Sequence, residues 1–147
     1  MNSSVICELL LCAASLWAAV DSLKTGHGWR ALGFTLIAVT ALLGALVYGG
    51  LETTRPAHQA MTSLSGRITL LLIAIAWPGR SQRWPLAMAG ALLFVLAGLG
   101  IAGRGEWQGI PRVDLYHLTL MLATLCWTLA RLRGTRWLPG TPASLAR

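Results

Sequence analysis

Charge is scarce in this sequence, and acidic charge is scarcest: Asp and Glu number five against twelve Lys and Arg in 147 residues, and charged residues make up 12% of the chain. A soluble domain ordinarily carries about 25%, so a water-facing shell cannot be built from this composition. Catalytic signatures are missing as well. There is no HExxH, no paired HxxxH, no CxxC, no Gly-rich phosphate loop and no nucleophile elbow, which removes the usual sequence signs of zinc hydrolases, dithiol redox proteins, nucleotide-binding proteins and α/β-hydrolases. Also missing is a basic segment ahead of the first apolar stretch. Met1-Asn2-Ser3-Ser4 is uncharged and Glu8 interrupts the start of the stretch, so a retained helix is expected rather than a cleaved signal. Leu11 before Cys12 is too large for a lipidation site.

What the chain has is apolar length. Hydrophobic residues make up 55% of it and the mean hydropathy is +0.62. Five stretches, approximately Val5–Leu23, Ala31–Gly49, Ala57–Trp77, Pro85–Gly103 and Val113–Leu132, each come close to the roughly 20 residues that span a bilayer core. Pro56, Pro85 and Pro111 stand at or just before helix starts, where a missing N–H costs little. The expectation is an all-α, polytopic transmembrane bundle of about five helices, forming one domain over residues 1–137. Residues 138–147, with Pro139, Gly140 and Pro142, read as a flexible cytoplasmic tail. Arg67 falls at the centre of the third stretch, and four helices plus a re-entrant segment is the alternative.

The basic residues sort by side. Lys24, Arg30, Arg80, Arg83, Arg131, Arg133, Arg136 and Arg147 fall in the first loop, the third loop and the tail, with Asp21 as the single acid there. Arg55, Arg104 and Arg112 fall on the other side with Glu52, Glu106 and Asp114. The positive-inside rule makes the first face cytoplasmic, giving an N-out/C-in orientation in the inner membrane. A net charge of +7 distributed this way punctuates helices instead of forming a basic face, so no nucleic-acid partner is expected. Trp17, Trp29, Trp77, Trp84, Trp107 and Trp137 lie at or near helix ends, as interfacial anchors do, and Trp127 lies deeper as a packing residue.

Self-comparison aligns helices two and four through Gly44 and Gly49 against Gly98 and Gly103, and helices three and five through Thr69-Leu70-x-Leu72-x4-Trp77 against Thr119-Leu120-x-Leu122-x4-Trp127. This describes one helix plus two duplicated hairpins. Ala45-x3-Gly49 and Gly98-x3-Ala102 would let backbones approach closely, with helices two and four at the centre of the bundle.

Ionisable groups inside a bilayer need partners. Glu8 shares a stripe of helix one with Cys12 and Ser15 and is the expected partner of Arg67. Asp114 and His117, flanked by Tyr116, share a face of helix five with Thr124 and Thr128. His58, Thr62 and Ser65 form a second polar seam, on helix three. Glu8, Arg67, Asp114, Tyr116 and His117 are therefore the candidate ligand-binding residues. His58, His117 and Asp114 are weak candidates for a metal, and no metal or cofactor is predicted, although imidazole and carboxylate also suit haem or zinc. The helix count and the lack of a spaced histidine pair separate the chain from membrane metallohydrolases of the alkaline ceramidase type.

The first expectation for function is a non-enzymatic binding or accessory subunit with an outward-facing polar pocket for a lipophilic or anionic ligand, working in the lipid bilayer with other membrane subunits or by self-association. A transporter or channel protomer with Glu8, Arg67, Asp114 and His117 along the path is the second. A membrane-embedded enzyme, or a haem-, metal- or quinone-binding protein using His58, Asp114 and His117, is the third.

Overall fold

The computed structural model describes residues 2–76, 83–97 and 106–130. Five α-helices account for most of them: α1 (Ser3–Lys24), α2 (Gly28–Tyr48), α3 (Arg55–Ala76), α4 (Trp84–Leu96) and α5 (Arg112–Ala130). Three of these, α1, α2 and α5, are long and apolar enough to cross a membrane. The third stretch forms one continuous helix through Arg67.

Local chemistry sets the helix ends. The side chain of Asn2 accepts from the Ser4 amide and caps α1. At its other end Gly26 takes a φ of +75°, and the amides of Gly26 and His27 donate to the carbonyls of Leu23 and Ser22 at 3.0 and 2.8 Å. Gly50 ends α2 in the same way, with the amides of Gly50 and Leu51 donating to Val47 and Leu46. Both are Schellman closures, which satisfy the last carbonyls and turn the chain within three residues.

Packing then follows a chain of neighbours. α1 packs on both α2 and α5, α3 packs on α2, and α4 packs on α5. Both expected hairpins, α2 with α3 and α4 with α5, are therefore formed. Their central scaffold differs from the expectation, because α1 takes the middle position and α4 is peripheral. The reason is a stripe on α1: Ser4, Glu8, Leu11, Ser15, Ala18 and Ser22 are all buried, at alternating steps of four and three that face a neighbouring helix continuously. Most of those side chains are small, so α2 and α5 can both approach. The close approaches also occur at other glycines than expected. Gly44 receives Glu8 and Gly90 receives the Trp127 ring, while Gly98, Gly103 and Trp77, which carry half of the repeat comparison, lie outside the described residues.

The distribution of side chains is inverted relative to a water-soluble bundle. Leu9, Leu10, Leu16, Val20, Leu42, Leu92 and Leu122 are exposed, whereas Ser15, Ser22, Arg30, Asp114, Thr124 and Thr128 are buried. Trp17, Trp29 and Trp84 are exposed near helix ends, and Trp127 is completely buried, donating its indole N–H to the Ala87 carbonyl at 3.2 Å. At the end of the bundle where α1 stops, the buried Arg30 guanidinium on α2 donates to Ser22 Oγ at 2.7 Å and to Asp21 at 3.0 Å. Arg83 also reaches this end, at the Leu129 carbonyl of α5.

One element was not anticipated. Glu106–Trp107 and Ile110–Pro111 form a short antiparallel ladder across a two-residue turn, in which Gln108 and Gly109 have φ of 51° and 81°. Two consecutive positive φ values make the turn type that suits the right-handed twist of a hairpin.

Candidate functional site

The opposite end of the bundle gathers the polar residues of four helices. Glu8 sits two turns into α1, Tyr48 is the last residue of α2, His58 lies in the first turn of α3, and Asp114, Tyr116 and His117 lie in the first two turns of α5. Helix polarity brings them together, since the start of α1 and α5 and the end of α2 share one end of the bundle.

Glu8 is the centre of this cluster. The residue is only 1% exposed. His117 Nε2 lies 3.1 Å and His58 Nε2 3.8 Å from its Oε1. Oε1 nevertheless has no hydrogen-bond donor among the described residues. His117 Nδ1 is likewise buried and unpartnered. A buried carboxylate oxygen without a donor is costly, by about 1–3 kcal/mol or more for a charged group, so this arrangement is completed by a proton, by water or by a guest.

Two tyrosines frame the imidazoles. The Tyr116 ring centroid lies 5.4 Å from that of His117, and Tyr48 lies 6.2 Å from His117 and 6.4 Å from His58, both edge-on. Asp114 accepts from the Ser4 hydroxyl at 2.6 Å, which ties the start of α5 to the start of α1. Asp114 therefore braces the two helices and is not the residue that orients His117.

The cluster opens into a cavity of about 340 Å³. Its polar lining comes from Glu8, Tyr48, His58, Thr62 and His117, and its apolar walls come from Leu11, Ile37, Ala41, Phe94 and Leu120 among others. This is the composition of a small-molecule site, mostly apolar with a few convergent polar groups. Glu8 is the one Asp, Glu, Lys or Arg among the described lining residues. No group of three or more His, Cys, Asp or Glu among the described residues is arranged to hold a metal ion.

Of the residues singled out in the sequence, Glu8, Tyr116, His117 and His58 meet at this cavity, with Thr62 and Ser65 along its α3 wall. The backbone of α3 carries Arg67 nine residues beyond His58, about 13 Å along the axis. Its side chain lies outside the described residues, and with it the expected Glu8–Arg67 pair. Tyr48, Thr40, Phe94 and the role of Ser4 were not foreseen. Ser4 had a signal, since it precedes Glu8 by four residues on the same stripe.

A polar seam continues between α1 and α5 beyond the cavity. Ser15 and Thr124, each seven residues past Glu8 and His117, are fully buried with hydroxyls that have no partner among the described residues. Thr128 turns its hydroxyl back to the Thr124 carbonyl.

Compared with protein-family models, with curated proteins and with solved structures, the chain matches none of them.

Proposed function

We propose that this protein is an integral membrane binding module whose cavity takes a lipophilic small molecule by its polar head. The observation that carries the reading is Glu8 Oε1, buried and without a hydrogen-bond donor among the described residues, at the polar end of a cavity with apolar walls. The apolar body of a guest would lie against Leu11, Ile37, Phe94 and Leu120, and its head would complete the hydrogen bonding of Glu8 and His117. No triad, metal centre or phosphate cradle accompanies the cluster among the described residues, so binding is favoured over turnover.

The inverted side-chain distribution supports hydrocarbon as the solvent of the helices, because exposed leucines and buried serines are stable in lipid and not in water. The basic residues at the Arg30 end support an N-out/C-in orientation in the inner membrane, with the cavity near the outer surface. Five helices leave room for partner subunits or self-association.

Mass spectrometry of organic extracts of the purified protein tests the reading. A stoichiometric lipophile should accompany the wild type and be lost from Thr62→Trp, which obstructs an exposed lining position. Equal yields from both proteins, together with no thermal stabilisation of the wild type by added 1-decanol, would overturn it.

A transporter protomer is the second reading, favoured by the unpartnered Ser15 and Thr124 hydroxyls that extend the seam toward the Arg30 end. Proteoliposomes should then show flux that Ser15→Val and Thr124→Val reduce; flux indifferent to both would set this reading aside.

A further inference from the structure

The charge balance of the cavity points to the class of guest. We infer that the cavity binds a lipophilic monocation, an organic ammonium, beside the Glu8 carboxyl. This inference rests on the binding reading above and narrows it.

Glu8 is the one formal charge among the described lining residues, and the side chain of Arg67 lies outside them. On α1 its titratable neighbours are Cys7 and Cys12. Tyr48 faces it from α2, His58 from α3, and Asp114, Tyr116 and His117 from α5. None of these is a permanent cation. Arg55 lines an adjoining depression with Tyr48 and His58, but its guanidinium is held by Glu52 through two hydrogen bonds of 2.6 and 2.7 Å. A carboxylate buried this deeply must be neutralised. A cationic guest does so when the cavity is filled.

Shape and lining agree with a cation. Tyr48 and Tyr116 line the cavity together with Glu8, and aromatic rings attract organic ammonium groups electrostatically, the more so when water is excluded. An anionic head would meet Glu8 instead. No covalent bond forms in the protein.

The test uses the full chain in lipid nanodiscs and three probes that share a ten-carbon tail: decyltrimethylammonium, 1-decanol and decanoate. The quaternary ammonium carries its charge independently of pH. Titration calorimetry should give the ammonium at least tenfold tighter binding than decanol and decanoate. Glu8→Gln should lose the tenfold preference. The inference is overturned if decanol or decanoate binds the wild type as tightly as the ammonium. Both comparisons hold on the wild type even where Glu8→Gln folds poorly. Binding of none of the three probes would instead overturn the binding reading itself.

Discussion

Gly44 of α2 makes the space that the Glu8 carboxyl of α1 occupies. A Cβ at residue 44 would overlap Glu8 Oε1 and Cδ, so the carboxyl reaches the histidines only because this position has no side chain. The carboxyl is the end of a flexible chain and gives way before the backbone does. Gly44→Ala should therefore weaken decyltrimethylammonium binding roughly tenfold, about 1.4 kcal/mol, with a smaller effect on folding. Added to Glu8→Gln it should cost little more, and a double-mutant cycle by calorimetry checks the coupling.

Gly90 stands in a similar relation to Trp127, but there the neighbour cannot swing away. A Cβ would come within 2.6 and 2.7 Å of the indole Cδ1 and Nε1 and 3.1 Å of the Ala123 carbonyl, and the ring is completely buried between Phe34 and Phe94. Gly90→Ala is expected to destabilise the bundle by about 1–3 kcal/mol through overpacking. Thermal unfolding in detergent measures the loss, and Trp127→Phe, with a smaller ring, should recover part of it.

At the opposite end, Arg30 fastens α2 to α1. Its guanidinium is buried while the Asp21 carboxylate is more than a third exposed, so the two partners are unequal. Arg30→Ala removes charge-assisted hydrogen bonds to Ser22 and Asp21 and should cost about 1.5–3 kcal/mol. Asp21→Asn should cost clearly less, because water screens that side of the pair. Parallel denaturation curves of the two variants decide the order.

The Glu52–Arg55 pair lies at the surface and offers a pH readout. Two hydrogen bonds from the Arg55 guanidinium hold the Glu52 carboxyl below the usual carboxylate range. A lowered folded-state value stabilises above the unfolded value and is lost as pH falls through the folded one. Arg55→Gln should move the Glu52 titration up toward that of a free glutamate, followed by carboxyl carbon NMR, with little change in melting temperature because both groups are exposed.

The helices were legible because apolar runs of bilayer length are a strong signal, and Pro56, Pro85 and Pro111 marked their starts. The gathering of Glu8, His58 and His117 was legible in part, since strict alternation of helix direction puts all three at one end. Which helix would be central was not. Single-chain glycine motifs pointed to α2 and α4, but the decisive feature was the spacing of small polar residues on α1, a pattern that reads as weakly amphipathic until a neighbour is known. The imidazoles beside Glu8 were not read as its neighbours: the first two turns of α3 and α5 bring His58 and His117 to it, while the expected pairing with Arg67 lies outside the described residues. The turn at Gln108-Gly109 resembles the Asn-Gly signal of a tight hairpin, but strands of two residues leave no alternation to read.

The contact between α1 and α5 joins segments that are 110 residues apart at Ser4 and Asp114. α1 is synthesised long before α5, so until the last helix is made Glu8 has neither His117 nor the wall that α5 provides. A chain cut short before α5 would lack both, and with them the brace from Ser4 to Asp114.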